Sequence, residues 1–171
     1  INSLLKNLRS ETNPLGIIEA VCRITQLYTD GLISGRNGSA ETWPEQEQGL
    51  KSLIQAGKKA TGTFYSGNGV NEEEIRDIVL GSEEILIKYA SDSNAKSRHL
   101  FKQIKMMYNF GLTLQELDME VDNIVCIVSG GFEPACLAMN ILDKDDLTMV
   151  RHSHVSRNDD NICYFKYAPK D

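Results

Sequence analysis

Long apolar runs are missing from this sequence. Its apolar stretches, of which NIVCIV at 123–128 is typical, fall far short of the roughly 20 residues that a membrane-spanning helix needs. No basic-then-apolar opening reads as a signal peptide, so a soluble protein is expected, without membrane partners. Cysteine is sparse as well. Cys22, Cys126, Cys136 and Cys163 form no C-x-x-C pair, which argues against a disulfide framework or a zinc ribbon. Two of them stand inside apolar runs, where a thiol behaves as a small hydrophobe, and a reducing, cytoplasmic setting is expected. Positive charge is also short, with 18 Lys and Arg against 24 Asp and Glu and a formal net charge of -6. That balance argues against broad, charge-driven binding to nucleic acid. Internal repeats and low-complexity tracts are absent too.

What is present suffices for a real core. At 171 residues and 41% hydrophobic, the chain can form one domain, or one domain with a helical appendage. It opens on Ile1 rather than Met, so a piece of something longer is expected. The first half reads as successive helices. Asn13-Pro14 is a cap followed by proline at the first helical position, and Ile17, Val21, Ile24 and Tyr28 recur on one face. Thr42 and Glu45 make a capping-box pattern, followed by Leu50, Leu53 and Ile54. The glycine-rich stretch 60–70 reads as a loop, Asn71 and Glu74 as the cap of a helix reaching about Tyr89, and 95–109 as a further helix that Gly111 closes. Residues 1–94 are therefore expected to form a helical N-terminal region.

After Leu117 the period changes. NIVCIV is rich in β-branched residues and continuous, as in a strand buried on both faces of a parallel sheet. Phe132 to Leu142 is helical in spacing, Leu147 to Val150 starts a second short run, and ICYFKY at 162–167 reads as a third strand. The order strand, helix, strand suits a parallel βαβ unit. Between the first strand and its helix stands the pair Gly130-Gly131. Glycines there let the backbone turn sharply and let amides approach an anion, which the helix start favours. The plainer alternative is that they only permit close packing of strand on helix.

The run Ser129-Gly130-Gly131-Phe132-Glu133-Pro134-Ala135, after an apolar strand and before CLAMNIL, resembles the pyrophosphate-binding loop of the type I phosphoribosyltransferase family. Arg151 and His152 end the next apolar run, where that family often carries basic residues, and VSRNDDN with Arg157 resembles its mobile polar loop. The resemblance implies an α/β fold: a parallel-sheet phosphoribosyltransferase-like core over 95–171, incomplete at its C-terminal end. It also implies a phosphorylated small-molecule substrate, phosphoribosyl diphosphate with Mg2+, and transfer of the phosphoribosyl group by a pentosyltransferase. Ser129, Gly130, Gly131 and Phe132 would hold the pyrophosphate, with Arg151, His152 and Arg157 neutralising it.

One feature of that family has no counterpart. Its acidic pair followed by a threonine- and glycine-containing loop is matched neither by Asp145-Asp146 nor by Asp159-Asp160, both of which read as solvated turns. Three functions stay open: a transferase; a non-catalytic nucleotide-binding module or one that meets a protein or a second copy through its N-terminal helices; and an adenylating ATP pyrophosphatase. The last shares SGG, but Glu133 and Pro134 stand where it has aspartate and serine. His152 and His154, with Asp159 or Asp160, offer too few ligands for a metal site. Glu133 is an obstacle to anion binding unless its carboxylate points away.

Overall fold

Helices dominate because apolar residues recur at helical spacing over most of the first 116 residues, and side chains close several of the helix starts. The computed structural model describes residues 1–34, 43–92, 100–117, 120–128, 130–152 and 164–168. Helix α1 spans Asn2–Ser10, α2 Pro14–Ser34, α3 Pro44–Tyr65, α4 Glu72–Leu80, α5 Glu83–Tyr89 and α6 Leu100–Glu116. At the start of α2 the Leu15 amide donates to Asn13 Oδ1 at 3.0 Å, and proline costs nothing where no intrahelical bond was due. At α4 the Glu74 amide donates to Asn71 Oδ1 at 3.3 Å. The cap of α3 is one residue later than the sequence suggests: the Trp43 amide donates to Gln46 Oε1 at 3.2 Å. Glu45 instead faces Lys88 and Tyr89, and Thr42 lies outside the described residues.

Three boundaries depart from the sequence reading. Helix α3 continues through Gly62 to Tyr65, and α6 continues through Gly111 to Glu116. The helix expected over 71–89 divides at Gly81-Ser82, where the Ser82 amide turns back to the Val79 carbonyl at 3.1 Å and the Ser82 hydroxyl meets that of Ser52 at 2.7 Å. Glycine inside α3 serves contact rather than termination. A Cβ on Gly57 would stand 2.7 Å from Cys136 Sγ and 2.8 Å from the Phe132 ring, so its absence lets the next helix lie directly on α3.

That helix, α7 (Phe132–Ile141), lies between strands β1 (Val125–Ile127) and β2 (Thr148–His152); β3 covers Tyr164–Tyr167. β1 and β2 are parallel, with Val125 opposite Thr148 and Ile127 opposite Val150. β3 pairs with β2 antiparallel, Tyr167 opposite Met149 and Tyr164 opposite His152. The strand, helix, strand order is therefore present, but the expected parallel-sheet core is not. The described residues form seven helices and one sheet in the order β1-β2-β3, of which only β1 and β2 run parallel. The physical reason lies in the faces of β1. Cys126 is buried against the helices, whereas Val125 and Ile127 are 60% and 68% exposed, so the apolar run is covered on one side only. A parallel sheet core needs both faces covered. Here the core is chiefly helical: one cluster of buried side chains runs from Leu4, Leu5 and Leu8 through Ile24, Leu53 and Cys136 to Met149 and Tyr167. The boundary expected between 94 and 95 lies outside the described residues.

Candidate functional site

The candidate site is the turn from β1 into α7, at the ends of the two parallel strands. Its shape follows from the last residues of β1. The Val128 amide donates to the Val150 carbonyl at 2.9 Å, which continues the parallel ladder by one residue and brings Arg151 and His152 alongside the turn. The Gly131 amide then donates back to the Ile127 carbonyl at 3.1 Å, and the Ala135 amide to the Gly131 carbonyl at 3.0 Å, so the chain passes from strand to helix within four residues. The two glycines do different work. A Cβ on Gly131 would meet the Ile127 carbonyl oxygen at 2.6 Å, so Gly131 is required by close packing. Gly130 is exposed, and no described atom would lie within 4 Å of a Cβ built on it. Close packing therefore accounts for Gly131, whereas Gly130 has no such contact among the described residues.

The other sequence-predicted residues separate. Phe132 is 1% exposed and turns its ring into the α3 contact at Gly57, so only its backbone faces the turn. Arg151 and His152 are placed by strand register opposite Phe165 and Tyr164. Ser129, Arg157, His154, Asp159 and Asp160 lie outside the described residues. Among the described residues no peptide bond is cis.

Glu133 does not stand against an anion at the turn. Its carboxylate is 5% exposed and points into the helices, where Oε1 accepts from the Tyr65 hydroxyl at 2.8 Å. The sequence leaves this pair unread, since Tyr65 and Glu133 meet only because α7 lies on α3. Beneath the turn, burial pushes the Cys126 thiol up to about 12 and the Cys136 thiol well above its ordinary value, with the neighbouring Cys22 adding to both. These thiols stay protonated near neutral pH and fill the core rather than act as nucleophiles. Asp145 and Asp146 lie at the opposite end of β2, and Asp145, an exposed turn residue, pairs with Lys58 at 2.6 Å.

No family model, curated protein or solved structure matches the chain. The chemistry of the site rests on its geometry. Among the described residues no group of three or more His, Cys, Asp or Glu side chains could hold a metal ion, so they do not supply a protein cage for magnesium. Among the described residues no helix is long and apolar enough to cross a membrane. A separate cleft of about 470 Å³ opens between the end of α3, α6 and α7, lined by Tyr65, Met107, Leu112, Gln115 and Asn140 among others. It includes none of the candidate binding residues named from the sequence.

Proposed function

We propose that the chain binds a phosphorylated small molecule through its diphosphate at the ends of β1 and β2, with phosphoribosyl diphosphate the form that the SGGFEPA resemblance implies. The observation that carries this reading is the pairing of open backbone at Gly130 with the neighbouring strand end at Arg151 and His152. Ligands of open α/β units bind outside the carboxyl ends of parallel strands, and the start of α7 adds a partial positive charge there. The inward turn of Glu133 supports the reading, because it removes the nearest carboxylate from the ligand's path. Since the Gly131 amide is already bonded to Ile127, the amides of Gly130 and Phe132 are the donors assigned to the phosphate.

Binding without transfer is the second reading, and the place of Asp145 and Asp146 favours it. An acidic pair that served the ribose would have to stand near the turn, whereas this one is at the other end of β2. Calorimetric titration with phosphoribosyl diphosphate and magnesium tests the proposal. Arg151→Gln should weaken binding by about 1.5–3 kcal/mol, roughly ten- to 150-fold, as expected for a charge-assisted hydrogen bond. Release of pyrophosphate in the presence of nucleobases would decide for transfer. An affinity unchanged by Arg151→Gln would remove Arg151 from the site.

A further inference from the structure

A second cleft lies between α3 and the N-terminal end of β2, at the opposite end of that strand from Gly130. Its volume is about 270 Å³. That is below the roughly 300–1,000 Å³ of drug-sized pockets, so it suits a small metabolite. The apolar wall is Ile54, which keeps 7% of its surface exposed, with Met139 and Leu147 fully buried beneath. Tyr167, paired with Met149 on β2, lines the same cleft and is 2% exposed. Tyr167 is not among the buried side chains left without a hydrogen-bond partner, so its hydroxyl is not sealed in the core and is open to a guest in the cleft. Burial, with the charges of Glu47 and Asp146, pushes the Tyr167 phenol up, so it remains a neutral O–H donor.

Both signs of charge ring this donor. Lys51 and Lys58 reach the cleft from one face of α3, seven residues apart, as two turns of helix require. Lys51 pairs with no carboxylate among the described residues. Lys58 is tied only to Asp145, whose side chain is 95% exposed and can give way to a competing anion at little cost. Asp146 lines the cleft from the turn before β2. A pure anion would meet Asp146 and the nearby Glu47, and a pure cation would meet the two lysines. We propose that this cleft binds an aliphatic α-amino acid, its carboxylate taken by Lys51, Lys58 and the Tyr167 hydroxyl, its ammonium by Asp146, and its side chain by Ile54 and the methylene stem of Lys51.

The inference is independent of the diphosphate reading, and its signals are separate from those of Gly130. The test titrates the whole chain with L-leucine and follows the backbone amide signals of Lys58, Leu147 and Tyr167; isocaproate and isoamylamine serve as analogues keeping one charge each. Leucine should shift these signals saturably, and each analogue should bind about tenfold or more weakly. Tyr167→Phe should weaken leucine by about tenfold at an unchanged unfolding midpoint. If that variant unfolds more easily, Lys51→Gln, at an exposed position, replaces it with the same expected loss. The proposal is overturned if leucine gives no saturable shift, if isocaproate or isoamylamine binds as tightly as leucine, or if the correctly folded variant keeps full affinity.

Discussion

Replacing each glycine of the turn by alanine separates packing from access. At Gly131 the added methyl would stand 2.6 Å from the Ile127 carbonyl oxygen and 3.3 Å from its nitrogen, both backbone atoms of β1 that cannot swing aside. Relief requires the turn to move, which strains the 3.1 Å bond from the Gly131 amide to Ile127. Overpacking of this kind costs about 1–3 kcal/mol, against which a stiffer unfolded chain returns about 0.4–1 kcal/mol. A net loss of about 1–2 kcal/mol should lower the midpoint of thermal unfolding by about 2–8 °C in a chain of this size. At Gly130 no described atom would meet the methyl and the backbone is not left-handed, so Gly130→Ala should hold or raise stability by about 0.4–1 kcal/mol. The same methyl would stand in the path of the proposed phosphate, so Gly130→Ala should weaken diphosphate binding. Urea and thermal unfolding of both variants, with titration of the stable one, make the comparison. Equal destabilisation by the two substitutions, or a neutral Gly131→Ala, would refute the division of roles.

The remaining predictions concern buried groups. Because the Cys126 thiol is held at about 12 against an ordinary 9.0, the folded chain keeps a proton that the unfolded chain releases. Its stabilising contribution is fully present below about pH 9 and is lost as pH rises toward about 12, by up to about 1.4 kcal/mol per pH unit. Urea midpoints measured across that range should fall, and Cys126→Ala should flatten the fall. Iodoacetamide at neutral pH should spare Cys126 and Cys136 in the native protein and label both after unfolding, as read by mass spectrometry. Tyr65→Phe removes the donor to the buried Glu133 carboxylate, and a loss of about 1–3 kcal/mol is expected in urea unfolding. No loss would mean that the Glu133 carboxylate keeps adequate partners without Tyr65.

What could be read in the sequence was local. Asn13-Pro14 and the pair Asn71 with Glu74 mark helix starts because capping uses residues three or fewer positions apart. The parallel pairing of the runs around Cys126 and Met149 follows from two apolar segments joined by a helix of the right length. What was hidden depends on contacts between distant segments. Gly62 and Gly111 look like loop or stop signals, yet they lie inside helices; Gly111 is favoured there because Ile141 approaches it from α7, as Cys136 and Phe132 approach Gly57. The run around Cys126 looks buried on both faces because apolar side chains alternate with apolar ones, and only the assembled helices reveal that Val125 and Ile127 have no cover among the described residues. The passage from strand to helix at Gly130-Gly131 was legible as a turn. The inward Glu133 and the separation of Asp145 from the turn were not.

The measurement that bears most directly on the proposed site is an amide-resolved magnetic resonance titration of the whole chain with pyrophosphate and magnesium. Saturable shifts should centre on Gly130, Phe132 and Arg151, weaken with rising salt, and shrink in Arg151→Gln. Absence of saturable shifts at those residues, or shifts confined to Lys51 and Lys58 at the other end of β2, would contradict the account.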